Sequence, residues 1–282
     1  MKRTIILMLT LTLIWTACSE NSMEPDYHEE IVVSAYLFTG QPIDSVRLTR
    51  TFDIKARYNA DDAAVSGADV TISDDENVYQ LSEYSNVKGV YYLLDRSVRV
   101  QPDITYTLNV EYGNHKLMAT TTAPAPIEIT HLPADTLTFL DLEQKFSLEW
   151  SGGEGSEGYW ITTVATPHPS SPYSERLVDF QEPAIVDFQL AQFDGDTLEA
   201  FSPVSGHGMD GVMGTSADLP WFMFSWYGEY QLTLYAVEQE YLDVLTSMNQ
   251  TDTFEDPLYN VFGGLGLFTA VSADTVQLYV KR

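Results

Sequence analysis

Few residues in this chain of 282 have the type and spacing to do chemistry, and the first of them is Cys18, the single cysteine. With no second thiol it forms no internal disulfide, so it is either a small buried apolar group or the target of a modification. His28, His115, His131, His168 and His207 stand isolated, with no His-Glu-x-x-His and no paired ligands, which argues against a zinc enzyme. The nucleophile elbow Gly-x-Ser-x-Gly is missing as well. Gly263, Gly264 and Gly266 suggest a phosphate loop, but no Gly-Lys-Ser/Thr follows and no helical pattern presents amides to an anion. A strand entry in which Gly264 takes a positive φ is the expected role. Asp74-Asp75-Glu76 and Asp194-Gly195-Asp196 offer hard oxygens to Ca²⁺ without the spacing of a calcium loop, so solvated hairpin turns are expected there. Catalytic residues, metal and cofactor are therefore all expected to be none.

The densest remaining feature is aromatic. In Trp221-Phe-Met-Phe-Ser-Trp-Tyr227, strand alternation puts Phe222, Phe224 and Trp226 on one face and Trp221, Met223, Ser225 and Tyr227 on the other. One face builds a core. Trp221 and Tyr227 are the candidates for contact with a partner or ligand, against the commoner outcome of burial between two sheets.

The surroundings of Cys18 decide between its two readings. Lys2 and Arg3 precede an apolar stretch, Thr4 to Trp15, that is too short to cross roughly 30 Å of hydrocarbon, so residues 1–17 read as a signal peptide. Thr16 and Ala17 then lead directly into Cys18, which resembles a bacterial lipoprotein cleavage site. The resemblance implies that Cys18 becomes the first residue, acylated on sulfur and amine, and two or three acyl chains hold a protein stably in a membrane. Residues 18–28, with Glu20, Glu24 and Asp26, read as a tether facing either the cell surface or the periplasm.

The body of the chain is acidic. Fourteen Lys and Arg against 41 Asp and Glu give a formal charge of −27, and removal of the leader takes away two cations and no acid. That balance cannot neutralise phosphates, so nucleic acid is not an expected partner.

The elements that must position these residues are strands. Apolar residues alternate rather than recur at helical spacing over Ile31–Phe38, Ser45–Phe52, Ala68–Ser73, Val78–Leu81, Val90–Leu94, Thr105–Tyr112 and Lys116–Thr122. The expected fold class is mainly all-β. Residues 29–124 should form an immunoglobulin-like or transthyretin-like sandwich, with Pro102-Asp103 as a turn before its sixth strand. Ala123-Pro-Ala-Pro126 is a stiff extended breaker and marks the expected boundary. Residues 125–282 should then form a second, β-rich, fibronectin-like domain. Its expected strands are Ile127–His131, Lys145–Trp150, Tyr159–Ala165, Ala184–Leu190, Trp221–Trp226, Tyr230–Val237 and Thr275–Val280. Phe146, Leu148 and Trp150 share one face there, and one helix is expected near 237–248, carrying Val237, Tyr241, Val244, Leu245 and Met248 on one side. Pro167–Pro183 and Ser202–Pro220 read as long loops.

The C-terminal run Tyr259-Asn-Val-Phe-Gly-Gly-Leu-Gly-Leu-Phe268 and Gln239-Glu-Tyr-Leu242 are similar to the closing signature of a Bacteroidota outer-membrane lipoprotein family of unknown function (domain of unknown function 4249). Ile31-Val-Val-Ser-Ala-Tyr-Leu37, Gly40-Gln-Pro42 and Val46-Arg-Leu-Thr49 resemble its opening. The resemblance spans nearly all of the chain after Cys18 and implies an accessory role beside TonB-dependent outer-membrane receptors, with no catalytic residues to carry over. Asp44-Ser-Val46, Asp135-Thr-Leu137, Asp196-Thr-Leu198 and Asp274-Thr-Val276 also resemble acceptors of periplasmic O-glycosylation, a short pattern that recurs by chance. The expected function is thus a non-enzymatic accessory or binding subunit of an uptake system, held in the outer membrane by lipid on Cys18. The alternative is a structural or adhesive surface module. A concave apolar site favours the first, and an open edge strand the second.

Overall fold

The computed structural model describes residues 27–53, 55–138, 145–166, 198–204, 214–224, 228–249 and 259–281. Cys18, Tyr227, the expected loop Pro167–Pro183 and the expected strand Ala184–Leu190 lie outside them. The first eight strands are β1 (Ile31–Phe38), β2 (Val46–Arg50), β3 (Asp69–Ser73), β4 (Val78–Gln80), β5 (Ser82–Glu83), β6 (Val90–Tyr92), β7 (Thr105–Tyr112) and β8 (His115–Thr122). A four-residue helix α1 (Ala60–Ala63), capped by the Asn59 side chain on Asp61 N–H, lies between β2 and β3. Then follow β9 (Ile127–His131), β10 (Thr136–Thr138), β11 (Lys145–Gly152), β12 (Gly158–Thr166), β13 (Leu198–Val204), β14 (Ser216–Pro220), β15 (Gly228–Val237), helix α2 (Gln239–Asn249) and β16 (Leu265–Lys281).

The fold is mainly β, as the alternation predicts. In β1, Ile31, Val33, Ala35 and Leu37 are buried and the intervening residues face away from the core. They pack against Val70, Ile72, Leu108, Val110 and Leu117 of the sheet β4-β3-β7-β8 to form the first sandwich. Asp103 takes a φ of 62° in the turn before β7, and the Gln101 N–H donates to the Tyr106 hydroxyl at 2.8 Å. A tyrosine reaching back to upstream backbone in this way is a corner device of immunoglobulin-like sandwiches. The second core joins β12 and β15 to the sheet β14-β11-β9, with Phe146, Leu148 and Trp150 all buried on one face of β11.

The final strand alters the expected domain plan. In place of a short strand at Thr275–Val280, β16 runs for 17 residues and serves both sandwiches. Its first part pairs in parallel with β1, from Val32↔Leu265 to Phe38↔Val271. Its second part pairs antiparallel with β15, from Val237↔Val271 to Gly228↔Val280. Along one face, Phe268 and Ala270 enter the first core while Leu278 and Val280 enter the second. Between them, Ser272 and Asp274 accept from the backbone N–H groups of Ile127 (3.0 Å) and Ile129 (2.8 Å) in β9. The expected assignment of everything after residue 125 to a separate domain is therefore corrected, because Val261, Phe268 and Ala270 belong to the core of the first. Parallel neighbours require a long crossover, and here that crossover holds the other strands of the first sandwich and the second sandwich after them.

Residues 262–266 carry the chain from one sheet of the first sandwich to the other. Phe262 exchanges backbone hydrogen bonds with Met118 of β8 at 3.0 and 2.8 Å, and three residues later the chain lies beside β1. At Gly266, with φ 104°, an added Cβ would lie 1.9 Å from the Val33 carbonyl oxygen. Gly264 does not take the positive φ expected of it; its constraint is space, since a Cβ there would sit 2.3 Å from Leu117 Cδ2 and 2.6 Å from the Ile31 carbonyl. Asn260 then stands in for a missing strand neighbour. Its amide donates to Phe268 O at 2.6 Å and accepts from Phe268 N–H at 2.9 Å.

A carboxylate closes the joint from the other side. Glu238, between β15 and α2, accepts from the Thr122 N–H at 2.7 Å and from the Thr121 hydroxyl, whose oxygen in turn accepts from the Ala270 N–H at 2.7 Å. Burial raises the pKa of Glu238 above its ordinary value, although these bonds oppose the shift.

Two outcomes follow. Gly266→Ala should destabilise by at least ~2 kcal/mol, because a positive φ and a backbone clash act at one position; an unchanged thermal midpoint would contradict the close approach. Glu238 binds its proton more tightly in the fold than in the unfolded chain. Its contribution is complete below the ordinary carboxylate range and is lost as pH rises through the raised folded value. The melting temperature of the wild type relative to Glu238→Gln should accordingly be higher near about pH 4 than near about pH 8, and a pH-independent difference would count against a half-buried carboxylate with a raised pKa.

Candidate functional site

Outward-facing residues of four adjacent strands and one helix converge at the joint between the sandwiches. β1 contributes Tyr36 and Phe38, β16 Val271, β15 Tyr235 and Val237, β12 Trp160 and Thr162, and α2 Tyr241, around a groove of about 240 Å³. Strand register explains the concavity. Phe38 pairs with Val271, Val271 with Val237, and Val237 with Gly158, so one lateral row falls from a large ring to two valines and then to no side chain. The next row sets Trp160 beside Tyr235 and Tyr235 beside Ala273. Small residues form the floor, and rings form the walls.

Helix α2 supplies the remaining wall. It begins one residue after β15, and Leu242 joins Val237 and Val271 in a small cluster of its own. An added Cβ at Gly158 would lie 2.5 Å from Leu242 Cδ1, so this glycine lets the helix approach the sheet. The helix holds Tyr241 edge-on to two rings at once, with centroids 6.2 Å from Tyr36 at 82° and 6.4 Å from Trp160 at 79°. Trp160 is buried beneath, while Tyr36 and Phe38 are 37% and 38% exposed at the rim. Among the described residues, none that lines the groove is charged. Burial raises the pKa of the Tyr36 phenol, so its hydroxyl stays neutral.

Of the two residues proposed from sequence, Trp221 does not line this groove. Trp221 is 2% exposed and lies in the second core, with ring centroids 5.8 Å from Phe146 and 5.7 Å from Phe224. The expected strand Trp221–Trp226 is replaced from its first residue by a 3-10 turn, Trp221–Met223, closed by Phe224 N–H donating to Trp221 O at 3.0 Å. A turn of three residues puts Trp221 and Phe224 on the same side, which removes the alternation that made Trp221 a surface candidate. Tyr227 lies outside the described residues. The long loop expected over Ser202–Pro220 includes the end of β13 and all of β14, whose Ala217–Pro220 segment pairs with Lys145–Leu148.

Other candidates resolve as structure. Asp74 organises the β3–β4 hairpin, accepting from the N–H groups of Glu76 (2.9 Å) and Asn77 (2.7 Å) and from the Tyr79 hydroxyl (2.7 Å). Asp194 and Asp196 lie outside the described residues, among which no group of three or more His, Cys, Asp or Glu side chains is placed to hold a metal. Ser45, Thr136 and Thr275, the hydroxyl residues of three acceptor-like triplets, are exposed.

Among solved structures, the chain is similar to the crystal structure of the chicken CNTN1 FN1-FN3 domains at 12% identity and a TM-score of 0.28, covering 89% of this chain and 66% of that one, a little under two thirds of its length. No curated protein matches the sequence. The family comparison is specific where these are not: the model for the domain of unknown function DUF4249 matches residues 20–277, from just after Cys18 to within β16, and the chain belongs to that family.

Proposed function

We propose that this protein is a non-enzymatic binding subunit anchored in the outer membrane by lipid on Cys18, working as an accessory to a TonB-dependent nutrient-uptake receptor. The observation that supports it most is the aromatic groove, a concave uncharged site whose rim rings, Tyr36 and Phe38, are exposed on a rigid sheet. Rings held by strands lose little entropy on binding, which makes them economical contact residues. They replace the buried Trp221 as the candidates for contact. The acidic body cannot be steered to an equally acidic partner, so contact through an apolar patch, with a membrane tether raising the local concentration, fits the charge.

The strand shared by both sandwiches favours a second reading, a stiff surface spacer, because one continuous sheet resists bending where a linker would not. The two readings part on the groove: a spacer keeps its partners when the rim rings are removed.

Affinity purification of the acylated protein from detergent-solubilised outer membrane should recover a TonB-dependent receptor, and recovery should persist at high salt, which screens exposed charge pairs. Tyr36→Ser together with Phe38→Ser should cut that recovery by roughly tenfold or more, the loss expected when central aromatic anchors go. Recovery that is indifferent to the double substitution supports the spacer reading instead. Cys18→Ala should leave an unmodified N-terminus by mass spectrometry and release the protein from the detergent phase; continued membrane retention would overturn the anchor.

A further inference from the structure

We propose that the groove binds a compact organic cation, a quaternary or alkylated ammonium group, held among the rings of Tyr36, Trp160, Tyr235 and Tyr241. The inference rests on the groove being a binding site and adds the chemistry of its ligand. Three observations carry it.

The first is the shape of the walls. Tyr241 stands at 82° to Tyr36 and at 79° to Trp160, so the rings make the sides of a box rather than one flat platform. A box suits a tetrahedral group that touches several faces at once. A sugar ring wants a single platform with planar polar side chains around its edge, and the described residues of the lining offer no carboxylate, amide or guanidinium for that purpose.

The second is the sign of the local charge. Ring faces carry the negative side of the aromatic quadrupole and attract a desolvated cation, most strongly for Trp and Tyr. The field of the chain has the same sign: at −27 it concentrates cations near the surface and repels anions.

The third is size. A volume of about 240 Å³ equals that of ~8 liquid waters, room for an ion of choline's dimensions and too little for an oligomeric ligand. The open rim at Tyr36 and Phe38 leaves space for a substituent to extend into solvent.

The test is calorimetric titration of the acylated full-length protein, in detergent and at constant ionic strength, with choline chloride and with its neutral isostere 3,3-dimethyl-1-butanol. Choline should bind at least tenfold more tightly than the isostere. Tyr241→Leu and Tyr36→Leu, which keep bulk and remove the quadrupole, should each weaken choline by roughly 2- to 30-fold with the circular dichroism spectrum unchanged. Equal binding of the isostere would show an apolar slot for a partner side chain and overturn the cation. Absence of binding by both ligands overturns it as well, and choline binding that both folded variants retain places the ion elsewhere and overturns the assignment. Failure here leaves receptor recovery standing as a separate result, and loss of receptor recovery with choline binding intact removes the accessory role and keeps the cage.

Discussion

The parallel pairing of β1 with the first half of β16 depends on backbone approaching backbone where any side chain would collide. Gly266 meets the Val33 carbonyl so closely that only hydrogen fits, and Gly264 is packed between Leu117 and the Ile31 carbonyl. From that contact follow the closure of the first sandwich by residues from the end of the chain and the continuity of one sheet through both modules. The same contact aligns β1 with β16, and β16 with β15, so that outward rings from each fall beside one another. The groove is thus a by-product of register, sharing its cause with the fold.

Polar groups make this joint specific. A sheet that merely continued would leave β9 beside it with unpaired amides, and Ser272 and Asp274 occur on β16 at the two positions that meet those amides. Glu238 does the equivalent for β8, and Asn260 for the free edge beside Phe268. Each places a hydrogen-bonding side chain where regular strand pairing is interrupted, in keeping with the rule that buried backbone donors do not go unmet. Such groups fix one geometry for the two sandwiches where an apolar interface would tolerate sliding.

Strand alternation was legible wherever one face is buried and the other is not. β1 and β7 fall on the expected residues, and Phe146, Leu148 and Trp150 share a buried face as the pattern requires. What stayed hidden was non-local. The outward positions of Tyr36 and Phe38 can be read from β1 by itself, and those of Trp160 and Tyr235 from their own strands, but nothing local says that these rings meet. Trp221 was misread because alternation assumes an extended chain, and the tight turn after Pro220 breaks that assumption within three residues. Of the long C-terminal strand only Thr275–Val280 was expected, because Leu267–Ser272 are buried on both faces and so show no alternation.

The shared strand also governs the order of events in time. A chain made from its N-terminus usually lets the first domain fold before the second is complete. Here one of the two strands that flank β1 is made only after every strand of the second sandwich from β9 to β15. Until residues 265–271 emerge, β1 presents an open edge and the first core lacks Phe268 and Ala270, so the N-terminal sandwich waits, incomplete and adhesive, for the whole of the second to pass. Closing so long a loop costs little more free energy than closing one of half the length, but contacts this distant in sequence slow the search. A chain cut just before residue 265 would therefore leave the N-terminal sandwich open at β1 although all its other strands are present.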